Sequence, residues 1–195
     1  MASTENRNQT IVRQVELLID TAKKAEHRNT EEALSVSFEA IKLAKEHNLD
    51  RQIANCYVVI GRCYWINGDF DKAIVNFNKA LDLCGEFQGD YIKVEAINGL
   101  GNVYITLERF DQALTFYNQA LDIAEEQKFT ILISKILNNL GTLHEELRNS
   151  QIALEYYQRS YNKSLEIEDY YGMAIADLNT GNMHFSLKNK LFHGF

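Results

Sequence analysis

The sequence predicts an all-α protein, an α-solenoid of antiparallel helix pairs that runs to about four and a half pairs. Three observations predict it. Gly61, Gly101, Gly141 and Gly181 stand forty residues apart. Tyr64, Tyr104, His144 and His184 follow those glycines at one offset, and Ala33, Ala73, Ala113 and Ala153 keep the same step. Between these positions apolar residues recur every three to four places. That is helical spacing, and no strand-like alternation of useful length interrupts it. A period shared by glycine, aromatic and alanine positions marks a repeat array, in which each helix pair buries its apolar stripes by stacking on its neighbours.

Taken in order, residues 1–10 read as a polar tail and 11–195 as a single array. The repeats fall at about 11–50, 51–90, 91–130 and 131–169, with a partial one at 170–195. The amphipathic pattern begins with Ile11, Val15, Leu18, Ile19, Ala22 and Ala25. Thr30 reads as the N-cap of the next helix, with Glu31 and Glu32 in the first turn, where the helix dipole favours them. Ala33, Leu34, Phe38, Ile41 and Ala44 read as its inward face. This first pair is degenerate: Thr21 takes the place of the glycine and Lys24 that of the tyrosine. A more polar outer repeat is what the end of a solenoid needs.

Three better-formed units start at Ala54, Val94 and Ser134, with Asp50, Asp90 and Thr130 as N-cap candidates upstream. They break at Asn67-Gly68-Asp69, Glu108-Arg109 and Arg148-Asn149. Their second helices carry Phe70, Ala73, Ile74, Phe77, Ala80 and Leu81, then Phe110, Ala113, Leu114, Tyr117, Ala120 and Leu121. The third copy reads Ile152, Ala153, Leu154, Tyr157, Ser160 and Tyr161. A further unit opens at Ala174, with Leu178, Gly181, His184 and Leu187 in register. The pattern then fails at Lys190-Leu191-Phe192-His193-Gly194-Phe195, where His193 falls on the alanine position. The last helix has no partner in the sequence. That points to a fragment of a longer protein, or to an end that pairs with another chain.

Composition narrows the function classes. An apolar share of 46% and a charged share of 24% are those of a soluble folded protein. The chain holds no proline and no Ser/Gly-rich linker. A net charge of −7 argues against a phosphate-binding surface, so no nucleic-acid partner is expected. The polar start lacks the apolar core of a signal peptide. No apolar run approaches the ~18–20 residues of a membrane span. The expectation is a cytoplasmic protein with no membrane insertion. The three cysteines, Cys56, Cys63 and Cys84, form no CxxC; Cys56 and Cys63 share a helix face two turns apart, too far to bridge. They read as buried and reduced.

These residues resemble the tetratricopeptide repeat (TPR) family. The family pattern is a large residue, Leu-Gly and Tyr on the first helix, then Ala, an aromatic and Ala on the second. The second full unit shows Ile97, Leu100-Gly101, Tyr104, Ala113, Tyr117 and Ala120. The first shows Tyr57, Ile60-Gly61, Tyr64, Ala73, Phe77 and Ala80, and the third Leu137, Leu140-Gly141, His144, Ala153, Tyr157 and Ser160. The common repeat is ~34 residues long. The forty-residue form is similar to the Pins-like spindle adaptors, the kinesin light chains and the repeat halves of bacterial signalling proteins.

In that family the first helix of each unit lines a concave groove. The resemblance therefore implies binding positions at Asn55, Val58, Arg62 and Trp65 in the first full unit. The second offers Glu95, Asn98, Asn102, Ile105 and Thr106, and the third Lys135, Asn138, Thr142, Glu145 and Glu146. The partial unit offers Leu178, Asn182 and Phe185. Asn98 and Asn138 hold one repeat position, and Asn102 and Asn182 another. Each carboxamide offers a donor and an acceptor, which suits the backbone of an extended peptide; packing between adjacent helices is the other use of such a row. The carboxylate clamp of chaperone-binding members is not expected, because Val58 and Arg62 stand where its first lysine and first asparagine would.

No nucleophile with a base, phosphate-binding loop or metal cluster is evident. The expectation is no enzyme activity in this chain and no cofactor or metal. Its function is then a protein–protein interaction module that takes a peptide or helix of a partner into the groove. The alternative is an N-terminal sensory or regulatory TPR domain of a larger bacterial signalling enzyme, a diguanylate cyclase or histidine kinase, of which this chain is a fragment. Homo-oligomerisation through the unpartnered C-terminal helix is a third use of the array.

Overall fold

The computed structural model describes the backbone of residues 2–85 and 90–193, and side chains within 9–85 and 90–188. The described residues form nine helices and no strand. They are α1 (Ala2–Ala25), α2 (Thr30–Glu46), α3 (Asp50–Ile66), α4 (Phe70–Cys84), α5 (Tyr91–Thr106), α6 (Phe110–Glu126), α7 (Thr130–Glu146), α8 (Ser150–Glu166) and α9 (Tyr170–His193). This is an all-α helical repeat solenoid. The helices gather into two compact units, Met1–Val103 and Tyr104–Phe195. Gly194 and Phe195, and the side chain of His193 on the alanine position, lie outside the described residues.

One turn geometry links most helices. After Tyr64, Tyr104 and His144 the chain closes with Asp69, Arg109 and Asn149 donating their N–H to those residues' carbonyls, each at 2.8 Å. The residue before each donor is left-handed: Gly68 at φ 80°, Glu108 at 58° and Arg148 at 60°. Asn48, Lys128 and Glu168 repeat that conformation between pairs. A left-handed residue lets the last carbonyls of a helix find donors while the chain reverses.

The caps differ in detail from the sequence reading. Asn29, not Thr30, caps α2; its Oδ1 accepts from the Glu32 N–H at 3.1 Å. Asp50 and Thr130 lie one place inside their helices, behind Leu49 and Phe129, which supply no side-chain cap. Asp90 does cap α5, accepting from the Ile92 N–H at 2.9 Å. At the start of the chain, α1 already runs through residues 2–10, ahead of the apolar stripe at Ile11.

In the first unit, Val15, Ile19, Ala40, Ile41, Ala44, Ile53, Cys56 and Ile60 form one core cluster, and Ala22, Ala25, Ala33, Val59 and Cys63 a second. The Phe77 ring is the keystone. A Cβ added at Gly61 would stand 2.8 Å from it, and one at Gly99 would stand closer still. One ring thus fills notches on two first helices, α3 and α5. Burying such a ring contributes roughly 1.5–3 kcal/mol. The equivalent place in α2 holds Ser37, which is buried. Phe38, expected on the inward face, is half exposed instead. The ring position falls at residue 37, and Phe38 is turned one residue around the helix.

In the second unit, Tyr157 fills the notch at Gly141, where an added Cβ would lie 2.5 Å from the ring. Ala153, Tyr157 and Met183 form the core beneath α9. Ile152 lies at the surface rather than within the second-helix stripe. Where the neighbouring repeat has Val94, Ala120 and Ala124, this one has Ser134, Ser160 and Ser164. The three hydroxyls are buried together. Ser134 Oγ lies 2.6 Å from Ser164 Oγ, and Ser160 Oγ donates to the Ser134 carbonyl at 2.8 Å. Buried hydroxyls are tolerated when each finds such a partner.

Candidate functional site

The first helices of the first unit, α1, α3 and α5, share a face. At one end of it lies a cleft of about 310 Å³ lined by Glu16, Ile19, Asp20, Arg51, Asn55 and Tyr91, among others. Asn55 Oδ1 is buried there and finds no hydrogen-bond partner among the described residues. Glu16 and Asp20 are exposed at the rim. Arg51 reaches Asp90 at 3.5 Å. The cleft therefore has an acidic rim and an unfilled acceptor.

Further along the same face, Arg62 bridges two carboxylates. Its Nε donates to Glu26 Oε2 at 2.9 Å and its Nη1 to Glu95 Oε1 at 3.2 Å. Lys23 Nζ stands 3.7 Å from the other Glu95 oxygen, which is buried and accepts no hydrogen bond among the described residues. Burial opposes the charge on Arg62, but Glu95 and Glu26 outweigh it and hold the guanidinium above its ordinary pKa. The network ties α1, α3 and α5 together through residues at no shared repeat position. The family resemblance implies separate groove positions for Arg62 and Glu95, and nothing in the sequence signals that they pair.

Of the other expected positions in this unit, Trp65, Asn98 and Asn102 are half-buried. Val58 is a correction: it is fully buried in α3. Its neighbours on both sides, Tyr57 and Val59, belong to or pack against the two core clusters, so the helix turns Val58 inward as well.

In the second unit, Lys135 and Asn182 are exposed, and Asn138 and Thr142 are half-buried. Asn138 Oδ1 accepts from Asn179 Nδ2 at 2.9 Å, linking α7 to α9. Thr142 donates to the Asn138 carbonyl at 3.2 Å. The Tyr157 hydroxyl donates to Glu145 Oε2 at 2.8 Å, so the ring that fills the glycine notch also fixes a carboxylate on α7. Burial, first of several causes, pushes the Tyr157 phenol well above its usual range. Asn179 was missed in the sequence. The Asn138-Asn139 doublet, one repeat before Asn179, was the available signal.

All three cysteines are free and buried. Burial pushes the Cys56 thiol up to about 12, and those of Cys63 and Cys84 to about 11. Among the described residues no group of three or more His, Cys, Asp or Glu is placed to hold a metal ion. No described helix is long and apolar enough to cross a membrane.

Residues 54–87 and 93–166 match family models described as tetratricopeptide repeat. A search of curated proteins finds no match. Among solved structures, the chain is similar to BtubC (BKLC) from P. vanneervenii, with TM-score 0.72 and 20% identity over 94% of this chain and 76% of that one. It is similar to aspartyl phosphate phosphatase F from Bacillus subtilis, with TM-score 0.75 and 14% identity over 91% of this chain and 48% of that one. A Rap protein complexed with Competence and Sporulation Factor gives TM-score 0.57 and 21% identity over 91% of this chain and 54% of that one. The chain thus spans about half the length of the last two. At these identities the likeness is one of fold. The repeating turns, the rings seated on glycine notches and the two family matches converge: the chain belongs to the tetratricopeptide repeat family.

Proposed function

We propose that the protein is a protein-interaction module, not an enzyme, that captures a peptide or helical segment on the face of its first helices. The observation that carries this reading is the orphaned Asn55 Oδ1 at the cleft between α1, α3 and α5. A buried acceptor without a donor costs ~1–3 kcal/mol, which a ligand N–H restores on binding. The exposed Glu16 and Asp20 beside it favour a segment carrying Lys or Arg. A net charge of −7 supports a protein rather than a nucleic-acid partner. Three free, buried cysteines support a reducing, cytoplasmic setting. Asn98 and Asn102 on α5 extend the face in this unit, and Lys135, Asn138, Thr142 and Asn182 are the corresponding positions in the other. The Rap protein solved with Competence and Sporulation Factor shares the fold, and its complex supports a role in binding a partner.

The test is selection of a random peptide library displayed on phage against the full chain. Enriched basic peptides should lose about tenfold in affinity on Asn55→Leu, a loss of ~1.4 kcal/mol. An Asn98→Ala/Asn138→Ala pair probes the asparagine row in the same assay. Equal binding by wild type and all variants would remove this face as the site, and a library that never enriches would remove peptide capture. The second reading, a regulatory domain of a larger signalling enzyme, is decided by the uninterrupted reading frame of the gene.

A further inference from the structure

α9 is apolar on two opposite faces. Its inner face carries Ala176 and Met183, both buried, and packs on α7 and α8. Its outer face carries Tyr171, Ala174, Leu178, Gly181 and Phe185, spaced three and four apart in turn. All five are exposed, Tyr171 at 78%, Leu178 at 63% and Phe185 at 68%. A helix apolar all round is normally covered all round. α5 shows the same two-sided pattern, and Ile92, Val94, Ala96, Ile97, Leu100 and Val103 along it are all buried.

Gly181 sharpens the contrast. At the equivalent places, Gly61 and Gly141 receive the rings of Phe77 and Tyr157, whereas among the described residues nothing lies within 4 Å of a Cβ built on Gly181. The outer stripe is therefore an empty notch of a kind that this fold fills with an aromatic ring, flanked by exposed aromatic rings on the same helix.

We propose that the outer face of α9 pairs with α9 of a second copy of this chain. The sizes along the stripe alternate: Tyr, Ala, Leu, Gly, Phe. A two-fold contact requires that if one residue meets another, the reverse also holds. An antiparallel register centred near Ala176 meets that condition with large always opposite small. Tyr171 enters the notch of Gly181 in the second copy, and Leu178 lies over Ala174, each twice. Phe185 reaches Ile167 at the turn before the partner helix. Asp177 is the only Asp, Glu, Lys or Arg between Tyr170 and Leu187, so two copies of an acidic chain meet here without a row of like charges. Tyr171, Leu178 and Phe185 expose on the order of 400 Å² per copy. With the turn residues, two copies bury close to the ~1,000 Å² that marks a specific interface, at its weak end. The dimer is therefore concentration-dependent.

Sedimentation equilibrium of the full chain tests this. The mass should rise with concentration from 22.4 kDa to twice that value and no further. Leu178→Asp and Gly181→Gln, both on an open surface, should each hold the chain at the monomer mass with an unchanged far-ultraviolet spectrum. A Tyr171→Cys/Gly181→Cys variant should form a covalent dimer on mild oxidation, since the native thiols are buried. A monomer up to the solubility limit would overturn the proposal. So would masses beyond the dimer, a dimer indifferent to both substitutions, or a face that takes up selected peptides while the chain stays monomeric.

Discussion

Gly99 carries more than its place in the sequence suggests. Its missing side chain admits the Phe77 ring, and an added methyl group has nowhere to go. Gly99→Ala should cost about 1–3 kcal/mol in urea unfolding, the usual range for an overpacked core. A Phe77→Leu background should erase most of the difference, because the smaller side chain frees the space. Equal losses in both backgrounds would show that the ring is not the cause. His144 makes a second prediction. Its ring stacks on Tyr156 at 5.4 Å, and burial holds its pKa below the ordinary 6.5. The folded state therefore prefers the neutral ring. The stability this contributes is present above the unfolded value and is lost as pH falls through the folded one. His144→Tyr, which restores the residue of the other repeats, should flatten the loss of stability between about pH 7 and 5. Thermal melts across that window would show an unchanged slope if other groups were responsible.

At the scale of the helices, Arg62 decides how α1, α3 and α5 hold together. Arg62→Met leaves Glu26 and Glu95 facing each other with little water. Breaking a buried pair in this way costs ~3–5 kcal/mol. Arg62→Met combined with Glu26→Gln and Glu95→Gln should recover much of that loss in the same unfolding measurement. A single substitution costing under ~1 kcal/mol would mean the network is solvated. This network also marks the limit of what the sequence shows. Gly61 with Phe77 and Gly141 with Tyr157 were legible because a shared forty-residue step picks them out. Arg62 finds its partners 36 and 33 residues away, at no common position, so periodicity is blind to them. Gly99 was hidden for the same reason, since Val59, Asn139 and Asn179 hold its place in the other repeats. Phe38 misled because spacing alone does not fix which of two adjacent residues faces a notch. Asn138 was legible as one of a row of asparagines on the first helices, but its bond to Asn179 needs coordinates.

At the scale of the whole chain, a solenoid is usually treated as a sum of repeat stabilities and nearest-neighbour terms. Phe77 does not respect that division. One side chain closes its own helix pair through Gly61 and docks α5 through Gly99. Internal and junction energies are therefore one quantity in this part of the molecule. The consequence is a limit on modularity. Removing residues 51–90 keeps every helix in phase, yet it presents Gly99 to Ser37 in place of a ring. The shortened chain should melt far below the parent, beyond what the loss of one repeat predicts, and Ser37→Phe combined with Thr21→Gly, which opens the notch on its own first helix, should raise it again. Repeats in such an array do not come apart at their boundaries like beads; each can be spared only if the one behind it carries a spare ring.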